Sequence, residues 1–363
     1  MSTQRVIAPE PQARMELSPL VESDLHQLAA FIGQQSGRDA AVVEKHLRWF
    51  LLQNPARSSH DPLGFALRTS EGLSGCILCV PQKFHFQDRE ILLMGSSSFY
   101  VDESHRGHGG RIFLQYSRLA KNFPLFGTSA NPDAAALWRA AGASPIPSSD
   151  GELFGILRWP PFGEEFAHRK NLNTAAVHLA ASPLAHVAGW FQKLMLDTDS
   201  STRLERLTSP EQVDALPIHG EPSKLTAQRD LAYIRWRYFS GHDPTAAAFS
   251  WRSSETGGEI LVTVNRRARG YRGQIKSLNI LDVYPEVSAA ESLKIIGGLV
   301  QQYRTTVDAI VLRHQDPDRR RFFLGRGLRW RPFDAPLGWL LDRQNFLPTR
   351  DLYFVPADGD GLI

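Results

Sequence analysis

The chain has 363 residues, of which 22% are charged and 42% hydrophobic, and a formal net charge of +3. That length can bury two cores or one large one, and so small a charge excess argues against nucleic acid as a partner. Two cysteines call for no oxidising compartment. Residues 1–13 are polar and proline-rich and read as a disordered tail rather than a signal peptide, so the expected location is cytoplasmic.

A short strand opens at Met15–Leu20. Ser23 or Asp24 then caps a helix that carries Leu25, Leu28, Ala29 and Ile32 on one side. A second helix is predicted from Ala40 to Gln53, with Val43, Leu47, Phe50 and Leu51 inward, ending at Asn54-Pro55. Three strands follow, at Gly64–Arg68, Leu73–Val80 and Glu90–Val101. Cys76 and Cys79 lie three apart on the second of these. No second pair or histidine cluster completes a zinc site, so both read as small buried hydrophobes and no metal is expected.

The third strand runs into a polar loop with Arg106, Gly107, His108, Gly109 and Gly110. A helical pattern starts at once, with Ile112, Phe113, Tyr116, Leu119 and Ala120 on one face. The first turn of a helix presents unpaired N–H groups, and glycine admits positive φ and a close anion, so this junction is suited to phosphate. The spacing is neither GxGxxG nor Gly-Lys-Ser/Thr, which sets aside the Rossmann and Walker loops. A strand at Leu125–Ser129 and a helix at Asp133–Ala141 complete this half.

Pro145, Pro147, Pro160 and Pro161 mark a connector. Thr174–Leu196 is apolar but interrupted by His178, Pro183, His186 and Gly189, so a helix pair broken at Pro183 is expected, with an interfacial membrane helix as the alternative. The second half then repeats the first. His46-Leu-Arg-Trp49 has its counterpart in Tyr233-Ile-Arg-Trp236, each is followed by Asp-Pro, and Gly327 lies 185 positions after Gly142. Strands are predicted at Ala247–Arg252, Glu259–Asn265, Gly273–Val283 and Ala309–Arg313, with a helix at Ala289–Tyr303 before the last. Basic clusters stand at Arg266–Arg272 and Arg319–Arg331.

Val101-Asp-Glu-Ser-His-Arg106-Gly107-His108-Gly109-Gly110 resembles the coenzyme A pyrophosphate loop of the GCN5-related N-acetyltransferases, Gln/Arg-x-x-Gly-x-Gly/Ala, with Arg111 where the last small residue is usual. Phe126 to Gly142 resembles the next motif of that family, with Asn131 in the position that bonds the pantetheine arm. Trp138 stands seven residues on, where a proton-donating Tyr is frequent. An indole N–H is a donor only and supplies no proton near neutral pH.

The resemblance implies an α/β (α+β) protein of two tandem lobes, each a mixed, mostly antiparallel sheet flanked by helices. The expected division is an acetyltransferase-like domain at 14–159, a helical connector at 160–224 and a degenerate second domain at 225–363. The implied activity is direct transfer of an acyl group, acetyl first, from coenzyme A to a primary amine. In that reading the backbone at Phe99 and Val101 holds the acyl carbonyl and pantetheine, while Arg106, Gly107, His108, Gly109, Gly110 and Arg111 hold the diphosphate, and Asn131 the arm. Ser98 and Tyr100, on one strand face with Ser96, are the candidate catalytic residues. The second lobe has Glu286 and Glu291 at the equivalent of the loop and is expected to bind no coenzyme A.

Three readings stay open. One is the N-acyltransferase acting on a small-molecule amine, which the arginines of the second half tilt toward an anionic one. The second is a non-catalytic acyl-CoA sensor. The third is a tandem-lobe transferase that takes its group from aminoacyl-tRNA or from an acidic acyl carrier protein, and steep salt dependence would mark the tRNA version.

Overall fold

The computed structural model describes residues 15–87, 89–172, 203–213, 224–313, 316–345, 347 and 352–355. The tail at 1–13 and the apolar run at 174–196 lie outside them. Two compact units are present: one comprises the residues up to Leu52, Ser58–Val80 and Ser96–Leu119, and the other comprises Gln53–Arg57, Pro81–Gly95 and the residues from Ala120 onward.

The first unit contains β1 (Glu16–Pro19), α1 (Leu25–Ser36), α2 (Ala40–Leu47) and β2 (Gly64–Thr69). It also holds the first part of β3 (Gly72–Phe86), the last part of β4 (Arg89–Val101) and α3 (Gly109–Ser117). The sheet order is β1-β2-β3-β4, with Leu17 opposite Leu67 and Phe65 opposite Ile77 in antiparallel ladders. Leu25, Leu28, Ala29 and Ile32 are buried on α1 as their spacing requires. Asp24 does not cap α1 with its side chain. Its carboxylate takes the Val21 N–H at 2.9 Å and pairs with Arg68 at 2.8 Å. The second helix is α-helical only to Leu47 and widens into a π-turn at Arg48–Leu52. Trp49, Phe50 and Leu51 are all buried there, and a wider turn draws three consecutive large side chains toward one side.

The second unit holds β5 (Leu125–Gly127), α4 (Pro132–Ala140), β6 (Ser144–Pro145), β7 (Gly151–Ile156) and α5 (Pro160–Arg169). Next come β8 (Glu205–Arg206), β9 (Leu225–Ala227), α6 (Leu231–Tyr238), β10 (Ala246–Arg252), β11 (Glu259–Arg269) and β12 (Ile275–Tyr284). The chain ends with α7 (Ala289–Tyr303), β13 (Ala309–Arg313), α8 (Pro317–Leu324), β14 (Arg329–Pro332), β15 (Trp339–Leu341) and β16 (Leu352–Tyr353). One sheet has the order β14-β7-β13-β12-β11-β10-β8, parallel only between β12 and β13. Its core is made by Leu293, Ile296 and Leu299 of α7 and Phe323 of α8 against Val262, Leu278 and Ile310.

Two strands sit where chain order alone would not put them. β7 lies between β13 and β14, and β15 lies between β5 and β6. Residues 151–156 thus complete the sheet built by the later chain, and residues 339–341 extend the ladder begun at β5. The glycines 185 positions apart end their helices alike. Gly142 has φ +86° and Gly327 φ +85°, and each donates its N–H three residues back, to Arg139 and Leu324. The architecture is mixed α/β, two mostly antiparallel sheets flanked by helices. Among the described residues no helix is long and apolar enough to cross a membrane.

Candidate functional site

The end of β4 carries the candidate centre. Met94 and Gly95 are followed by three serines, and the chain passes Ser98 with φ +48°, the left-handed region, inside a strand. Such a residue interrupts the alternation of faces, so counting by twos from Ser96 to Tyr100 does not hold across it. The Ser96 side chain bonds the hydroxyl of Tyr116 on α3, whose phenol burial pushes well above its usual value. Phe99 and Val101 pack under the start of α3. A Cβ on Gly109 would meet them at 3.6 and 3.5 Å, and the Phe99 and Phe113 rings lie 6.2 Å apart.

Cys76 holds the irregularity from the neighbouring strand. Its Sγ donates to the Ser98 carbonyl oxygen at 3.4 Å, and the Tyr100 backbone is hydrogen-bonded to the same sulfur. Burial pushes this thiol up to about 12, so it is a packed donor and no nucleophile. Cys79 is equally buried, and both cysteines are free. Next to Cys76, a Cβ on Gly75 would come within 2.7 Å of the tip of the Ile112 side chain and 3.3 Å of the Tyr100 carbonyl oxygen, so Ile112 has to shift to admit one. Neither Cys76 nor Gly75 stands out in the sequence as a site residue. The one signal is that the small triplet Ser74-Gly75-Cys76 and the run Gly95-Ser-Ser-Ser98 fall on adjacent strands.

The loop itself is tighter than an open glycine turn. Glu103–His108 form a 3₁₀ helix that runs directly into α3, with the His105 N–H on Asp102 and the Gly109 N–H on Arg106. None of Gly107, Gly109 and Gly110 has positive φ, so the left-handed freedom expected of them is not in use here. What glycine does supply is space: nothing lies within 4 Å of where a Gly107 Cβ would be. Arg106 is 74% exposed and only loosely paired with Glu103, at 3.9 Å. Gly110 and Arg111 are exposed as well, and His108 is half-buried. Positive charge and room for a diphosphate are therefore present. The amides of His105 and Gly109 meet an anion only when the tight turn opens.

Asn131 lies in the second unit as the N-cap of α4. Its Oδ1 accepts the Ala134 N–H at 2.8 Å, which commits the acceptor to the cap and leaves the amide N–H groups as its available chemistry. Trp138 is 2% exposed, a core side chain rather than a group facing a reacting centre.

In the second sheet, a cavity of about 370 Å³ lies between β12, α7 and the start of α8. Of the two carboxylates expected to repel a diphosphate there, only Glu286 faces it, paired with Lys224 and with Arg319 at 3.5 Å. Glu291 points into the protein, accepting from the Ser253 hydroxyl at 2.7 Å and the Glu255 N–H at 3.1 Å. Among the described residues no group of three His, Cys, Asp or Glu is placed to hold a metal.

Neither a family model nor a curated protein sequence matches the chain. Solved structures do. A probable N-acyltransferase of unknown function from Enterococcus faecalis V583 superposes with a TM-score of 0.57 at 11% identity, over 92% of this chain and 74% of that one. A GCN5-related N-acetyltransferase from Anabaena variabilis gives 0.53 at 12% identity, over 90% and 72%. Saccharomyces cerevisiae N-myristoyltransferase, solved with bound myristoyl-CoA, gives 0.53 at 8% identity, over 92% and 84%. The chain thus has the GCN5-related N-acetyltransferase fold. At such identities the likeness is one of architecture.

Proposed function

We propose that the chain moves an acyl group from a coenzyme A thioester to a primary amine by direct attack, and that its two halves arose by duplication of one lobe. The observation that carries the reading is the left-handed residue Ser98 inside β4, one turn ahead of a helix entered through Arg106 and three glycines. An irregular strand leaves backbone N–H groups out of the ladder, where one can receive the carbonyl oxygen of a thioester as it gains charge. The amine nitrogen forms the new C–N bond, the C–S bond breaks, and the thiolate leaves with a proton. Ser98, or a water bound by it, relays the proton that the amine loses on to the departing thiolate, which leaves as the thiol, so the serine ends the step with its own hydroxyl proton restored. Arg106 and Arg111 supply charge to the diphosphate, Gly107 the space, and the Asn131 amide a donor to the pantetheine arm.

A small amine is the proposed acceptor, and an acyl carrier protein is the alternative thioester donor. The sensor reading has one observation in its favour: Trp138, buried, stands where the resemblance would put an acid. Thermal shift with acetyl-CoA and with myristoyl-CoA, followed by thiol-release assays over an amine panel, separates the two. Stabilisation with amine-dependent thiol release supports the transferase. Stabilisation without release supports the sensor, and no stabilisation by either thioester overturns both. Arg106→Ala, at an exposed position, raises KM for the thioester about tenfold with kcat and Tm held, as loss of a diphosphate contact requires.

A further inference from the structure

The two basic clusters of the second half meet on one carboxylate. Glu152 stands on β7 with Arg313 directly opposite on β13 and Arg331 directly opposite on β14. Arg269 at the end of β11 reaches the same group. Its guanidinium donates to Glu152 at 2.9 Å and to Asn279 at 2.8 Å, Arg313 donates to Glu152 at 3.0 Å, and Arg331 bonds it too. The Glu152 side chain is 1% exposed.

Beside this cluster lies a cavity of about 310 Å³, between the sheet and α5. Arg269, Arg331 and Glu152 line it on the polar side, together with the pair Glu165–Arg169, which is matched at 2.6 Å. Phe154, Ile156, Phe162, Phe166 and Val311 line the apolar side. Phe166, one of these, is 53% exposed. Two carboxylates, Glu152 and Glu165, face three guanidiniums, Arg169, Arg269 and Arg331, in the lining, which leaves the polar side positive by one charge, and guanidiniums are the donors best shaped for carboxylate or phosphate. The volume is at the small end of the range for small-molecule sites, which join apolar walls to a few convergent polar groups.

We infer that this cavity binds an amphipathic anion, a carboxylate or phosphate head on an apolar chain, with the head on Arg269 and Arg331 and the chain along Phe154, Phe162 and Phe166. The site lies wholly in the second unit and is independent of the thioester chemistry proposed for β4.

Isothermal titration of the full chain with octanoate, octyl phosphate, octan-1-ol and inorganic phosphate tests it. Octanoate or octyl phosphate binds, and both octanol and inorganic phosphate bind at least about tenfold more weakly, since each lacks half of the recognised chemistry. Arg331→Gln and Phe166→Ser each weaken the amphiphile about tenfold. Phe166→Ser is at an exposed position and keeps the Tm of the ligand-free protein within about 2 °C, so it reads binding even where Arg331→Gln disturbs the fold. Octanol binding as well as octanoate, affinity unchanged in Phe166→Ser, or no binding of either anion overturns the inference.

Discussion

The Sγ of Cys76 lies 3.4 Å from the carbonyl oxygen of Ser98, the described β4 residue whose φ is left-handed. A thiol is a weak donor, but this one is buried and protonated, and it is hydrogen-bonded to the backbone on both sides of Phe99. Cys76 therefore acts on the candidate centre as a brace, through the backbone it holds.

Removing that brace has a measurable signature. Cys76→Ala leaves a buried carbonyl short of a donor and opens a small void, a loss of about 1–2 kcal/mol in urea unfolding. Because the folded thiol titrates near 12 against an ordinary value of 9.0, the folded state holds its proton longer. Its contribution is full below pH 9 and is lost as pH rises from there toward 12. Cys76→Ala flattens that alkaline limb of the stability profile. Thiol reagents at pH 8 leave the native protein unlabelled at Cys76 until denaturant is added.

Ser98 separates backbone shape from hydroxyl chemistry. Ser98→Gly relieves the left-handed backbone and raises stability by up to about 1 kcal/mol. Ser98→Ala keeps the strain and removes only the hydroxyl. With a proton relay through the serine, both variants lose about 100-fold in kcat in the thiol-release assay. Full activity in Ser98→Gly would leave the strand geometry, and not the hydroxyl, as the working part.

Asn131 caps α4, and the proposed function gives its amide a second task; substitutions divide the two. Asn131→Ala removes the α4 cap and lowers stability by about 1 kcal/mol. Asn131→Asp keeps a capping oxygen but has no amide N–H, so Tm holds while KM for the thioester rises. Equal KM in Asn131→Asp and the parent would remove Asn131 from the binding site.

Gly142→Ala and Gly327→Ala test whether the two halves share a design. Both glycines are left-handed, and neither has an atom within 4 Å of where an added methyl group would sit, so only backbone strain is at stake. Each substitution lowers stability by about 1 kcal/mol, and the two values agree within error in parallel denaturation curves.

Local patterning carried much of this protein in plain view. The strand at Ala309–Arg313 and the helix at Ala289–Tyr303 coincide with β13 and α7. The helix glycines of both halves turn alike. Periodicity and capping act over a few residues, so they are legible one residue after another. The positions of β7 and β15 were not legible, because a strand's partner is chosen by which open sheet edge the folded chain brings to it. The same holds for chemistry. Arg106 and its glycines can be read as a loop, but the 3₁₀ turn that engages their amides depends on how α3 packs on Phe99 and Val101. Two arginine clusters are visible as charge. That Arg269 and Arg331 close on Glu152 beside an apolar cavity is a consequence of three strands meeting, and only the tertiary structure brings residues 117 and 179 positions distant from Glu152 within a hydrogen bond of it.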